Sequence, residues 1–195
     1  MMREIILASG SPRRKMLLEW AEVKFTVQVA DSEEIINPEL KPEQVAVEIA
    51  RSKLNAVRSL LSPDKSDAVL IAADTIVVLD NEIIGKPSNR SHAIEILNKL
   101  AGKTHRVISG VCIADLNKAE EFYEETFVRF HPLTSAQITH YVDTYAPYDK
   151  AGSYAIQEWI GVVGIHSIQG DFYNVMGLPV SRVIQKLIAD FHWND

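Results

Sequence analysis

The chain has 195 residues, 47 % of them hydrophobic and 24 % charged, a balance that can build a sizeable core and excludes a disordered tract. The formal net charge is −6, which argues against a nucleic-acid surface, because neutralising a phosphate backbone needs a basic excess. Cys112 is the single cysteine, so an intramolecular disulfide is excluded, and no apolar run has the length of a membrane span or secretion signal; the expected location is the cytoplasm.

Residues 5–8 form a short apolar run ended by Ser9-Gly10-Ser11, which predicts a buried strand and a turn. Ser11 then reads as the N-cap of a helix with Pro12 at its first position. Residues 25–29 alternate as a second strand. Pro42 opens a longer helix, with Val45, Ile49, Leu54, Val57 and Leu61 near one face. Residues 68–73 are continuously apolar, the pattern of a strand covered on both faces and ending at Asp74. Residues 75–79 and 82–84 flank Asp80-Asn81 as a hairpin.

A helix is predicted from Ser91 to about Leu100, with Gly102 beyond its end. Residues 107–115 and 120–130 read as long strands paired across Asn117-Lys118, with Cys112 as a buried thiol. Thr134 and Gln137 make a capping box for a helix reaching Tyr145. Short strands are expected around Ile156 and Ile165, then a last helix from about Val180 to Phe191. Strands alternating with helices, followed by hairpins, predict an α/β fold on a mixed sheet, with no linker that would divide it.

Three constellations carry chemistry. At Ser9-Gly10-Ser11-Pro12-Arg13-Arg14 a strand turns into a helix whose first amides have no intrahelical partner. Acidic residues suit such an end, yet Arg13 and Arg14 stand there, as an external anion would favour; a solvated basic patch is the bland alternative. Asp74, expected at the carboxyl end of a buried strand, lies where open α/β sheets place ligands. It suits a divalent cation or a proton taken from an attacking water, and a turn aspartate is the alternative. Lys53, Lys86 and Lys150 are the third set: solvated side chains individually, but together the cations that phosphate chemistry needs. The six histidines have no metal-ligand spacing, and the P-loop, dinucleotide and nucleophile-elbow motifs do not occur.

These segments, with Ala50-Arg51-Ser52-Lys53, Gly85-Lys86-Pro87, Asp149-Lys150-Ala151-Gly152 through Gln157, and Met176-Gly177-Leu178-Pro179, resemble the Maf family of nucleotide pyrophosphatases, the septum-formation-inhibitor-like proteins. The resemblance spans nearly the whole chain. It implies one domain over 1–195 with the Maf/ITPase-like α/β fold: an elongated, twisted mixed sheet flanked by helices, with the site in a cleft between two lobes. It further implies a homodimer that uses Mg or Mn to cleave a nucleoside triphosphate between its α- and β-phosphates. On it, Asp74 matches the proton acceptor and a metal ligand; Ser9, Arg13, Glu34, Lys53 and Lys86 match phosphate-binding and metal-supporting positions. Asp31 and Glu33 compete with Glu34 for its place.

Arg14, Thr75 and Gln157 look like the subgroup that takes dTTP and UTP, and the imide edge of those bases offers the donor and acceptor that Gln157 can pair. A second subgroup takes 7-methylguanosine triphosphate. Glu158-Trp159 departs from the family, where many members have Gly and a small or apolar residue; Trp159 either stacks near the base or packs. Two other classes of function stay open: a nucleotide-binding regulator of septum formation without turnover, and a sugar-phosphate phosphatase, which would release orthophosphate.

Overall fold

The structure is a computed structural model that describes residues 3–32, 37–65 and 67–193. Its elements follow the predicted order until residue 150. β1 (Ile5–Leu7) and β2 (Thr26–Val27) run parallel, joined through α1 (Pro12–Trp20). Ser11 is extended and caps α1 by accepting the Arg14 amide, with Pro12 at the first helical position. α2 (Pro42–Arg58) buries Val45, Ala46, Ile49, Ala50, Leu54 and Val57, a stripe at helical spacing. Leu61, expected on that face, is partly buried beyond the helix end.

The expected strand end at Asp74 does not occur. β3 (Val69–Leu79) runs through it as one eleven-residue strand, so Asp74 lies inside the strand. The β-branched residues Thr75, Ile76, Val77 and Val78 continue the extended backbone past the carboxylate. β3 pairs parallel with β1, Leu7 opposite Ile71, and antiparallel with β4 (Glu82–Ile84), Val77 opposite Ile84. Asp80 and Asn81 both have positive φ, 51° and 67°, as a two-residue hairpin of this hand requires.

α3 (Arg90–Leu100) starts one residue before the predicted Ser91, because Asn89 caps it through the His92 amide at 3.0 Å. β5 (Thr104–Ala114) and β6 (Ala119–Phe130) are the long adjacent strands, and α4 (Ser135–Tyr145) carries the Thr134–Gln137 capping box. The strand expected near Ile156 is absent. A 3₁₀ turn at Ala151–Ser153 and a β-turn lead instead to α5 (Trp159–Gly164), which runs into β7 (Ile165–Gln169). Gly152 and Ser153 adopt φ of 70° and 59°, which ends any extended run there. α6 (Phe172–Met176) has no counterpart among the expectations, and α7 (Val180–Phe191) ends where predicted.

The mixed sheet has seven strands in the order β2-β1-β3-β5-β6-β7, with β4 also on β3. The chain forms two compact units, one of Met1–Asp74, Ser109–Glu124 and Gly177–Asp195, the other of Thr75–Ile108 and Glu125–Met176. In the first, Ile6, Ala8, Leu70, Ala72, Cys112 and Ala114 of the sheet pack on Ala50, Leu54 and Val57 of α2. Each large aliphatic side chain buried there contributes about 1.5–3 kcal/mol. In the second, α3 and α4 pack together and bury Ile96, Leu97, Leu100, Ile138, Tyr141 and Val142. Among the described residues no helix is long and apolar enough to cross a membrane.

Candidate active site

Alternation along β3 decides which side chains share a face. Ala68, Leu70 and Ala72 point into the α2-facing core, so Asp74 continues that row and Thr75 projects to the opposite face. β1 has stopped at Leu7 opposite Ile71, and its chain turns away after the Ala8 amide bonds the Ile71 carbonyl. Past that point β3 has lost its parallel neighbour. Asp74 and Thr75 are accordingly the partly exposed pair in an otherwise buried strand.

Lys53 meets Asp74 because α2 lies very close to the sheet. A Cβ on Gly110 of β5 would fall 2.2 Å from the Ala46 carbonyl carbon, so the strand approaches the helix backbone there. Ala46, Ala50 and Lys53 are four and three residues apart on one helical face. The two alanines fill the contact, and Lys53 extends the row to place Nζ 2.6 Å from Asp74 Oδ1. Both side chains are mostly buried, 19 % and 13 % exposed. The result is a charge-assisted hydrogen bond shielded from bulk water.

At the start of α1 the two arginines divide. Arg14 is buried; its Nε donates to the Gly177 carbonyl at 2.8 Å and its Nη1 to Ser9 Oγ at 3.1 Å. Ser9 Oγ also accepts the Ser11 amide at 3.3 Å. Arg14 thus fastens the turn to the Gly177-Leu178-Pro179 segment, while Arg13 is half-exposed at the second helical position. Ser9 and Asp74 follow parallel neighbouring strands toward the same sheet edge.

In the second unit, the segments bearing Lys86 and Lys150 are tied by the Gly152 amide donating to the Gly85 carbonyl at 3.2 Å. Gly152 has positive φ, and a Cβ there would lie 2.9 Å from Val77 Cγ2, so glycine is needed twice over. Lys86 is exposed. Lys150 is buried; its Nζ bonds Asp149 Oδ1 at 2.7 Å and lies 3.6 Å from Glu158 Oε1. Gln157 is exposed between buried Ile156 and half-buried Glu158. Trp159 packs edge-on against His140, with ring centroids 4.9 Å apart.

Glu34 lies outside the described residues. Cys112 is buried, and burial, reinforced by Glu121, pushes its thiol up to about 12. Sequence reasoning missed two groups. Tyr141 and Glu158 hydrogen-bond through the phenol, and nothing in their spacing announces it. Gly110 had a legible signal, a glycine inside a long apolar strand, which marks close backbone approach.

The profile described as Maf-like protein matches residues 4–189. A dTTP/UTP pyrophosphatase of Cytophaga hutchinsonii is 46 % identical over 189 residues, covering 97 % of this chain and 85 % of that protein. One from Bacillus cereus is 46 % identical over 186 residues, covering 95 % of each. Among solved structures, the Staphylococcus aureus Ham1 protein aligns with a TM-score of 0.45 at 17 % identity, covering 66 % of this chain and 72 % of that one. A profile match from residue 4 to residue 189, joined by relatives identical at nearly half their positions, shows that the chain belongs to the Maf family.

Proposed function

We propose that this protein hydrolyses dTTP and UTP to the monophosphate and pyrophosphate. Family membership and the activity named for its relatives support the reaction. The observation that carries the site is Asp74, partly exposed in a buried strand and held by Lys53 at 2.6 Å.

In the proposed mechanism the Lys53 ammonium engages Oδ1 of Asp74, which orients the carboxylate and leaves Oδ2 to take a proton. A water gives that proton up as its oxygen bonds the α-phosphorus. The bond from the α-phosphorus to the bridging oxygen breaks, and pyrophosphate leaves with the electron pair. Arg13, Ser9 and the first amides of α1 bind phosphate oxygens, and Lys53 and Lys86 offset the charge that builds on them. Thr75 and Gln157 are assigned to the base, with Gln157 pairing the imide edge.

The donor chemistry fits Mg or Mn. Asp74 offers a hard carboxylate oxygen, and Glu34 is the second ligand assigned; because Lys53 holds Oδ1, Oδ2 cannot hold an ion and take the proton at once, and one of those two jobs falls to a neighbouring carboxylate. Magnesium ordinarily takes one or two carboxylates and fills its remaining positions with phosphate and water. When bound, the ion supplies charge neutralisation on the phosphates. The family resemblance also supports a cytoplasmic homodimer, which light scattering would check.

The test is a panel of nucleoside triphosphates with separate detection of pyrophosphate and orthophosphate. Pyrophosphate release greatest with dTTP and UTP is expected. Orthophosphate release overturns the reaction, and a preference for 7-methylguanosine triphosphate overturns the base assignment. Asp74→Asn should abolish pyrophosphate release while retaining a non-hydrolysable dTTP analogue; near-normal turnover removes Asp74 as the base.

A further inference from the structure

Gln157 sits third in a four-residue turn that is closed twice. Inside the turn, the Glu158 amide donates to the Ala155 carbonyl at 3.1 Å. From outside, the buried Tyr141 hydroxyl accepts the Ala155 amide at 3.2 Å and donates to Glu158 Oε2. One phenol of α4 therefore bridges the first and last residues of the turn.

The other Glu158 oxygen faces Lys150 at 3.6 Å, so both carboxylate oxygens are engaged. The next residue is held as well, Trp159 against His140, which precedes Tyr141 on α4. Behind the turn, a Cβ on Gly161 would lie 1.7 Å from the Ile156 carbonyl oxygen, so the chain folds back with no room for a side chain. From Gly152 to Ile160, Gln157 is the exposed side chain; the others are buried or half-buried.

We propose that Glu158, gripped by Tyr141 and Lys150, is a positioning residue that fixes the direction in which Gln157 is presented and thereby sets base selectivity. Lys150 acts in this arrangement through Glu158 rather than on the phosphates. The proposal rests on the reading of Gln157 as the group that pairs the base. A glutamine on a mobile turn reaches the donor and acceptor of an imide no better than other patterns; a turn locked at both ends fixes the direction in which the side chain leaves the backbone and narrows the orientations it samples at the base.

The experiment measures kcat and KM for UTP and for CTP, whose base presents a different hydrogen-bond edge, in the full-length protein. The variants are Gln157→Ala, Tyr141→Phe, Glu158→Ala, Glu158→Gln and Lys150→Met, each with its thermal midpoint recorded. The ratio of kcat/KM for UTP over CTP should fall about tenfold in Tyr141→Phe, Glu158→Ala and Lys150→Met, mainly through KM for UTP. Glu158→Gln, which still accepts from the phenol, should recover most of that loss. A destabilised fold would instead lower both substrates together and leave the ratio intact.

If Gln157→Ala leaves the ratio unchanged, the base-pairing reading fails and this proposal with it. If Gln157→Ala collapses the ratio while Tyr141→Phe and Glu158→Ala keep it within about twofold, the reading stands and the clamp is overturned. Equal KM increases for UTP and CTP in Lys150→Met would return Lys150 to direct phosphate binding and overturn its part. Should Glu158→Ala fail to fold, Tyr141→Phe, which removes a single oxygen, decides alone.

Discussion

Arg14 spends its guanidinium on two fixed acceptors, the Gly177 carbonyl and Ser9 Oγ, inside a buried contact. Lysine carries the same charge but has no planar fork, so it cannot reproduce both bonds. Arg14→Lys should therefore lower stability by about 1–2 kcal/mol, read from the urea midpoint at constant slope. An unchanged midpoint would mean the two bonds are worth nothing net. The neighbouring Arg13 shares its charge and its helix end, but not this burial. The sequence presents the two as equivalent cations at the same helix entrance. Which of them faces inward depends on where the Gly177 carbonyl comes to rest, 163 positions away.

At the scale of elements, the contact between α2 and β5 governs how Lys53 reaches Asp74. A methyl at Gly110 has backbone atoms of Ala46 and Val47 within 2.3 Å, and backbone cannot swing aside. Gly110→Ala should cost about 1–3 kcal/mol and, by pushing α2 off the sheet, lower kcat as well. Stability loss with full kcat would separate helix placement from the Lys53–Asp74 pair.

A second element-scale effect concerns β5 and the segment after the 3₁₀ turn. His105 is buried with Nε2 2.7 Å from the Tyr154 hydroxyl, and burial brings its pKa from 6.5 down to about 4. The unfolded chain then binds the proton more readily than the folded one. The stability tied to neutral His105 is complete well above pH 6.5, the ordinary imidazole value, and is lost as the pH falls through it toward 4. Between pH 7 and pH 5 the loss should be about 2 kcal/mol, and His105→Gln should flatten that slope in urea titrations.

For the whole molecule, the charge balance and the site chemistry make opposite demands. The chain carries a net −6, yet the proposed substrate, a triphosphate, must be attracted to it. On the proposed function, Arg13 and Lys53 of the first unit are the local cations assigned to offset this. On the proposed metal assignment, Asp74 is the one described carboxylate, so the ion is expected with the substrate complex more than with the free protein. Treatment with EDTA should abolish pyrophosphate release, and Mg or Mn should restore it, while the unfolding midpoint of the free protein stays put. A large midpoint drop on chelation would instead indicate a resident structural ion.

The sequence by itself determined the Ser11 and Thr134–Gln137 caps, the apolar face of α2, the sequence of helices and strands up to residue 150 apart from the break expected at Asp74, and the family, because these rest on local spacing and short motifs. It also named Asp74, Lys53, Arg13 and Arg14 as candidates. Packing decided the rest. Asp74 lies within β3 because the backbone rules favouring extension past it outweigh one polar side chain. The Lys53–Asp74 pair, the burial of Arg14 and the Tyr141–Glu158 clamp join residues 21, 163 and 17 positions apart. Such contacts depend on which face of a helix meets which strand, and residue spacing along one chain does not carry that information.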